Sequence, residues 1–193
     1  IGIDDDVIYG RELRELPECI KLIREHVSDD IIIYVHNLAY DFQFFRNVFS
    51  FTDVFARTQR KPMYARAAGC EFRCSYMLTR LSLDSWGKQL NLEAKKQTGL
   101  LDYHVLRSPK TKLSEDDLIY CEADIKTMYY GLRRYKMKYG SVKDIVLTQT
   151  GEVRKPVKQM FQKNNGYHFK ITRLQPFDFE EYKRMKAAFW GGD

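Results

Sequence analysis

The sequence predicts an α/β sheet domain followed by a helical connector, and three observations carry that prediction. Ile31 to Val35 is a continuous apolar run closed by Asp29-Asp30 on one side and Asn37 on the other, the pattern of a buried central strand. Strand-like and helix-like segments alternate through the first half of the chain, and helical patterns dominate the second. No apolar run approaches the roughly 20 residues that a membrane helix needs. The expected division is 1–140 for the sheet domain and 141–193 for the connector.

Each element has its own warrant. Ile1 to Ile3 and Val7 to Tyr9 flank Asp4-Asp5-Asp6 and read as two short strands joined by an acidic turn. Leu13, Leu16, Ile20, Ile23 and Val27 recur at helical spacing, with Pro17 tolerable in the first turn. After the strand at 31–35, a second helix is expected to turn Phe42, Phe45 and Phe49 inward. Met63 to Ala67 and Cys70 to Leu78, separated by Ala68-Gly69, read as a hairpin. Leu81 to Leu90 is a short helix with its hydroxyl start at Ser82. Glu115 to Lys136 is the strongest helix: Ser114 can cap it, Asp117 completes a capping-box pair, and acids crowd the first turn. Tyr139 to Gly151 reads as a loop, with further helices near Lys155 to Gln162 and Phe179 to Ala188.

Composition sets the class. The 193 residues suffice for one domain with a sizeable core, and a hydrophobic fraction of 44% excludes a disordered chain. Thirty-two Lys plus Arg against 26 Asp plus Glu give a net charge of +6, which favours a polyanionic partner without naming one. The four cysteines form no paired ligand ladder, so they read as reduced thiols of a cytoplasmic protein.

Several internal segments together resemble the protein-primed branch of family B DNA polymerases. Tyr34-Val-His36-Asn37-Leu38-Ala-Tyr40-Asp41 is similar to the second exonuclease motif of that family. Ser82-Leu83-Asp-Ser-Trp-Gly-Lys88 is similar to its Ser-Leu helix, and Leu101-Asp102-Tyr103-His104 to a segment bearing a DNA-contacting tyrosine. Glu115 through Tyr120-Cys-Glu-Ala-Asp124 resembles the third exonuclease motif, of the tyrosine type. Phe189-Trp-Gly191-Gly192 resembles the Tyr-x-Gly-Gly link to a polymerase module, with Phe in place of Tyr, and the resemblance implies that Phe189, Gly191 and Gly192 contact DNA.

The resemblance implies a ribonuclease-H-like 3′–5′ exonuclease domain of the DEDD type, acting in proofreading during DNA replication. It implies that Asp41 and Asp124 bind metal, two Mg2+ ions or Mn2+, and that Tyr120 positions the attacking water. Oxygen ligands suit such hard ions, and Tyr120 and Asp124, four apart on one helix, point the same way. Tyr34, His36, Asn37, Leu38, Tyr40, Phe44, Ser82, Leu83 and Tyr103 fall where the family contacts the single-stranded 3′ end. For His36 a satisfied core imidazole competes with a DNA contact, and for Phe44 and Leu83 plain core packing does.

Two departures are visible. No Asp-x-Glu of the first motif precedes Asp41; Asp4 and Asp6 lie in a turn that follows that motif in the family and are rejected. The family's catalytic lysine falls at Thr98, with Lys95 and Lys96 just upstream. The expectation is therefore an internal fragment of a DNA-directed DNA polymerase, monomeric and bound to primer-template DNA. It is not expected to associate with membranes, and a terminal protein is an optional primer. As a phage product it would work in the host cytoplasm. With its metal site half built, it is expected to trim DNA little by itself. A stand-alone exonuclease and a non-catalytic single-strand-binding module are the alternatives.

Overall fold

The computed structural model describes residues 1–4, 6–91, 106–164 and 178–188. The chain divides into two compact units, Ile1–Glu152 and Val153–Asp193. The first begins with a hairpin of β1 (Gly2–Ile3) and β2 (Asp6–Val7), a two-stranded sheet of its own. Helix α1 (Glu15–His26) follows, with Glu15 and Glu18 in its first turn and Arg24 and His26 in its last, the order the helix dipole favours. Next come β3 (Ile31–Val35) and α2 (Leu38–Phe45), separated by Asn37 in the left-handed region at φ 59°. Asparagine is among the few side chains that tolerate this conformation, and it lets the chain reverse from strand to helix in two residues.

The main sheet adds β4 (Phe51–Ala56), β5 (Pro62–Ala67) and β6 (Cys70–Cys74), in the order β3-β6-β5-β4. β4, β5 and β6 form an antiparallel meander, whereas β3 runs parallel to β6, pairing Tyr34 with Arg73. The β5–β6 turn has only Ala68 and Gly69, both at positive φ, as a two-residue turn matched to strand twist requires. Two expectations change here. Ile31–Val35 is not central: among the described residues it is an edge strand whose only partner is β6. A continuous apolar run reports that both faces are covered, not that both edges are paired, and β3 sends Ile31, Ile33 and Val35 into the core. The second strand of the predicted hairpin also stops at Cys74, because Ser75–Thr79 forms the short helix α3.

Phenylalanines dominate the main core. Phe72 is buried among Phe45, Phe49 and Phe51, with ring centroids 5.3 to 6.2 Å apart, and Ile20 and Leu38 close the cluster from α1 and α2. Phe42, Phe45 and Phe49 do face inward. β4 was not legible as a strand in the sequence, although Phe51 supplies part of this core.

Helix α4 (Leu83–Gln89) is capped by Ser82, whose hydroxyl accepts from the Ser85 N–H, and α5 (Glu115–Tyr139) by a reciprocal Ser114–Asp117 box. The two helices pack through Trp86, which is 3% exposed and lies against Gly131. The loop after α5 returns to the sheet, where Arg73 donates to the carbonyls of Val142 (3.1 Å) and Ile145 (3.3 Å). Residues 141–152 therefore belong to the first unit. The second unit holds most of α6 (Gln149–Asn164) and all of α7 (Phe179–Ala188).

Gly131 supplies a test of this packing. Alanine at an interior helical position ordinarily gains about 0.5–1 kcal/mol over glycine. Here a Cβ would run into the Trp86 ring, so Gly131→Ala is expected to destabilise the chain by about 1–3 kcal/mol. Urea denaturation measures it. A variant as stable as the parent would show that Trp86 does not fill the space above Gly131.

Candidate functional site

The site resembling the second exonuclease motif is built on the β3–α2 junction. Asp41 stands in the first turn of α2, half-buried, and burial pushes its carboxyl above the usual aspartate range; its own backbone N–H offsets this in part. Among the described residues, no cation contributes to that balance. Tyr40 and Phe44 flank Asp41 on the same helix. They are 60% and 47% exposed, with ring centroids 5.4 Å apart.

The other predicted residues of this segment divide by environment. Asn37 is exposed at the turn. Leu38 is wholly buried and packs with Phe72 and Ile20, so its side chain offers no surface to a partner. Tyr34 turns its hydroxyl inward beside Arg73, and burial is the main influence raising its pKa.

His36 serves as a joint. The Ser75 hydroxyl donates to the Val35 carbonyl (3.4 Å), which leaves its oxygen to accept from His36 Nδ1 at 3.0 Å. The ring meets Tyr76 edge-on at 5.9 Å and stacks near Trp86 at 6.5 Å. Neither Ser75 nor Trp86 was singled out for this role in the sequence. A glycine within the long helix, Gly131, was the one signal that a bulky ring must pack there.

The residues resembling the third exonuclease motif lie on α5. Tyr120 and Asp124 are one turn apart and both half-buried. Between them, the Cys121 thiol is pushed up first by burial and then by the carboxylates of Asp124 and Asp117. One turn of this face is covered by the β1–β2 hairpin, where Gly2 fits closely over Ile125. α5 packs on α4 and β1, whereas α2 packs on β5 and β6, so the two motifs rest on different supports.

Among the described residues, no group of three or more His, Cys, Asp or Glu side chains gathers where it could hold a metal ion. Asp41 and Asp124 by themselves fall short of the oxygen ligands and negative charge that two hard cations require. Ser82 is exposed and Leu83 half-buried at the start of α4, close to a cleft of about 350 Å³ lined by Thr79, Ser85, Trp86, Tyr135 and Glu152. Tyr103, Phe189, Gly191 and Gly192 lie outside the described residues, as do Lys95 and Lys96. No helix of the described residues is long and apolar enough to cross a membrane. The chain matches no known protein family, no curated protein and no solved structure.

The environment of Asp41 gives a signed expectation. Its pKa is raised on folding, so between the unfolded and folded values the native state binds more protons, and stability falls as pH rises through that window. Asp41→Asn is therefore expected to unfold at higher urea than the parent at pH 7, with the advantage vanishing once aspartate is protonated in both states. A lower midpoint at pH 7 would show that the ionised carboxylate is held by favourable contacts.

Proposed function

We propose that this chain is a proofreading segment of a DNA-directed DNA polymerase similar to the protein-primed family B enzymes, and that it grips the frayed single-stranded 3′ end. The observation that carries the reading is the setting of Asp41, a half-buried carboxylate with no cation beside it among the described residues, bordered by the exposed rings of Tyr40 and Phe44. A perturbed carboxylate of this kind is characteristic of functional sites. Adjacent aromatic rings suit unpaired bases, since every base has a face to stack on.

The roles follow from this placement. Tyr40 and Phe44 stack on terminal bases and orient the strand, while Tyr120 and Asp124 on α5 supply the hydroxyl and second carboxylate of the exonuclease chemistry. Asp41 and Asp124 would hold only part of a two-magnesium site; completed by further oxygen ligands, such a site would supply Lewis-acid chemistry. His36 holds the junction in register and does not contact the strand.

Two measurements test the reading. The purified chain should bind a fluorescent oligothymidylate with an affinity that falls steeply with salt. Tyr40→Ala with Phe44→Ala should weaken binding by roughly tenfold or more; unchanged affinity would remove these rings from the interface. In a polymerase carrying this segment, Asp41→Ala or Asp124→Ala should abolish 3′ trimming and spare polymerisation, and equal loss of both activities would overturn the assignment.

A further inference from the structure

We infer that the β4–β5 hairpin is a second single-stranded nucleic-acid contact, on the face of the sheet opposite α2. β-Pairing sets the faces: Ala65 lies across from core residue Phe72, so the neighbouring Tyr64 and its partner Phe55 lie on the other side. Phe55 is 48% exposed, and its ring stacks with Tyr64 at a centroid distance of 5.6 Å and an interplanar angle of 30°. The Tyr64 hydroxyl donates to the Asp53 carboxylate at 3.1 Å, and the Arg66 guanidinium lies 5.4 Å from the tyrosine ring centre. The platform is therefore fixed from below while one ring stays open to solvent.

Charge at the tip completes the argument. The turn that closes the hairpin carries Arg57, Arg60 and Lys61, all exposed, and is held by the Arg57 N–H to Lys61 carbonyl bond at 3.1 Å. Among the described residues, no carboxylate lies within ion-pair distance of these three. By contrast, Arg66 and Arg73 on the same face are engaged by Glu71. Arg57 follows Phe55 by two residues, at most about 7 Å of extended chain, which keeps the cation close to the open ring. Uncompensated cations beside an open aromatic platform match the requirements of a single strand: a polyanionic backbone and exposed base faces. A duplex keeps its bases stacked inside and cannot use the ring.

The test measures binding of the intact chain to fluorescent oligothymidylate across a salt series, with circular dichroism confirming that each variant folds. Arg57→Ala/Arg60→Ala/Lys61→Ala should weaken binding and flatten the log–log salt slope by about 2, near 0.7 for each cation lost. Phe55→Ala should weaken binding by about fivefold or more with the slope unchanged. A control that removes the same charge elsewhere, Lys21→Ala/Arg133→Ala/Lys136→Ala, should have a smaller effect. Equal losses from hairpin and control would overturn the proposal by reducing it to net charge, as would equal affinity for blunt duplex. If the hairpin variants bind like the parent while Tyr40→Ala/Phe44→Ala weakens binding, this inference fails and the proofreading reading survives. Losses from the hairpin variants alone support the inference and count against the α2 rings.

Discussion

The position of His36 fixes most of what surrounds it. One imidazole joins the end of β3 to α3 through Ser75 and lies against Trp86 of α4, which in turn fills the space left by Gly131 in α5. The helix that bears Tyr120 and Asp124 is thus referenced to the strand that launches Asp41 by a chain of short-range contacts. Packing at this density has little slack. The half-buried His36 ring thus helps keep the β3–α2 junction and α5, on separate supports, in a constant relation.

The sheet separates two kinds of chemistry. Its inner face is aromatic and dry around Phe72. Its outer face is a ladder of opposite charges across three strands, in which Arg66 meets Asp53 and Glu71, and Glu71 meets Arg73. Burial alone would raise the Glu71 carboxyl, but the two guanidiniums outweigh it and hold the group below its usual range. Arg73, almost buried, carries the ladder into the loop after α5. Desolvated charge in this position is satisfied on every side, and that satisfaction ties the loop to the sheet.

Local signals in the sequence translated well, and non-local ones did not. The caps at Ser82 and Ser114, the helical spacing of α1 and the Ala68-Gly69 turn depend on residues within a few positions, so they could be read directly. The edge position of β3 depends on which strand pairs with it, and its apolar run carries no information about that. β4 passed unnoticed because Thr52 and Asp53 interrupt its apolar pattern, and helix α6 starts well before Lys155 because Thr148 caps it by accepting the Gly151 N–H. At the candidate site, the motif spelled out Asp41 and its aromatic neighbours. It gave no means of separating buried Leu38 from exposed Tyr40, a distinction set by the rotation of α2 against β5 and β6.

The pairing of β4 with β5 is broken at two places, between Phe51 and Asp53 and between Phe55 and Ala56. Among the described residues, β4 is also the outermost strand on its side of the sheet. An uninterrupted outer strand would present a regular row of amide donors and carbonyl acceptors to any neighbouring copy. Each irregularity bends the strand and puts that row out of step. On the β4 side, the backbone itself therefore works against edge-to-edge pairing with a second copy. The first irregularity comes from an extra residue in β4, Thr52, and the second from one in β5, Met63, so straightening the outer strand would take a deletion in each.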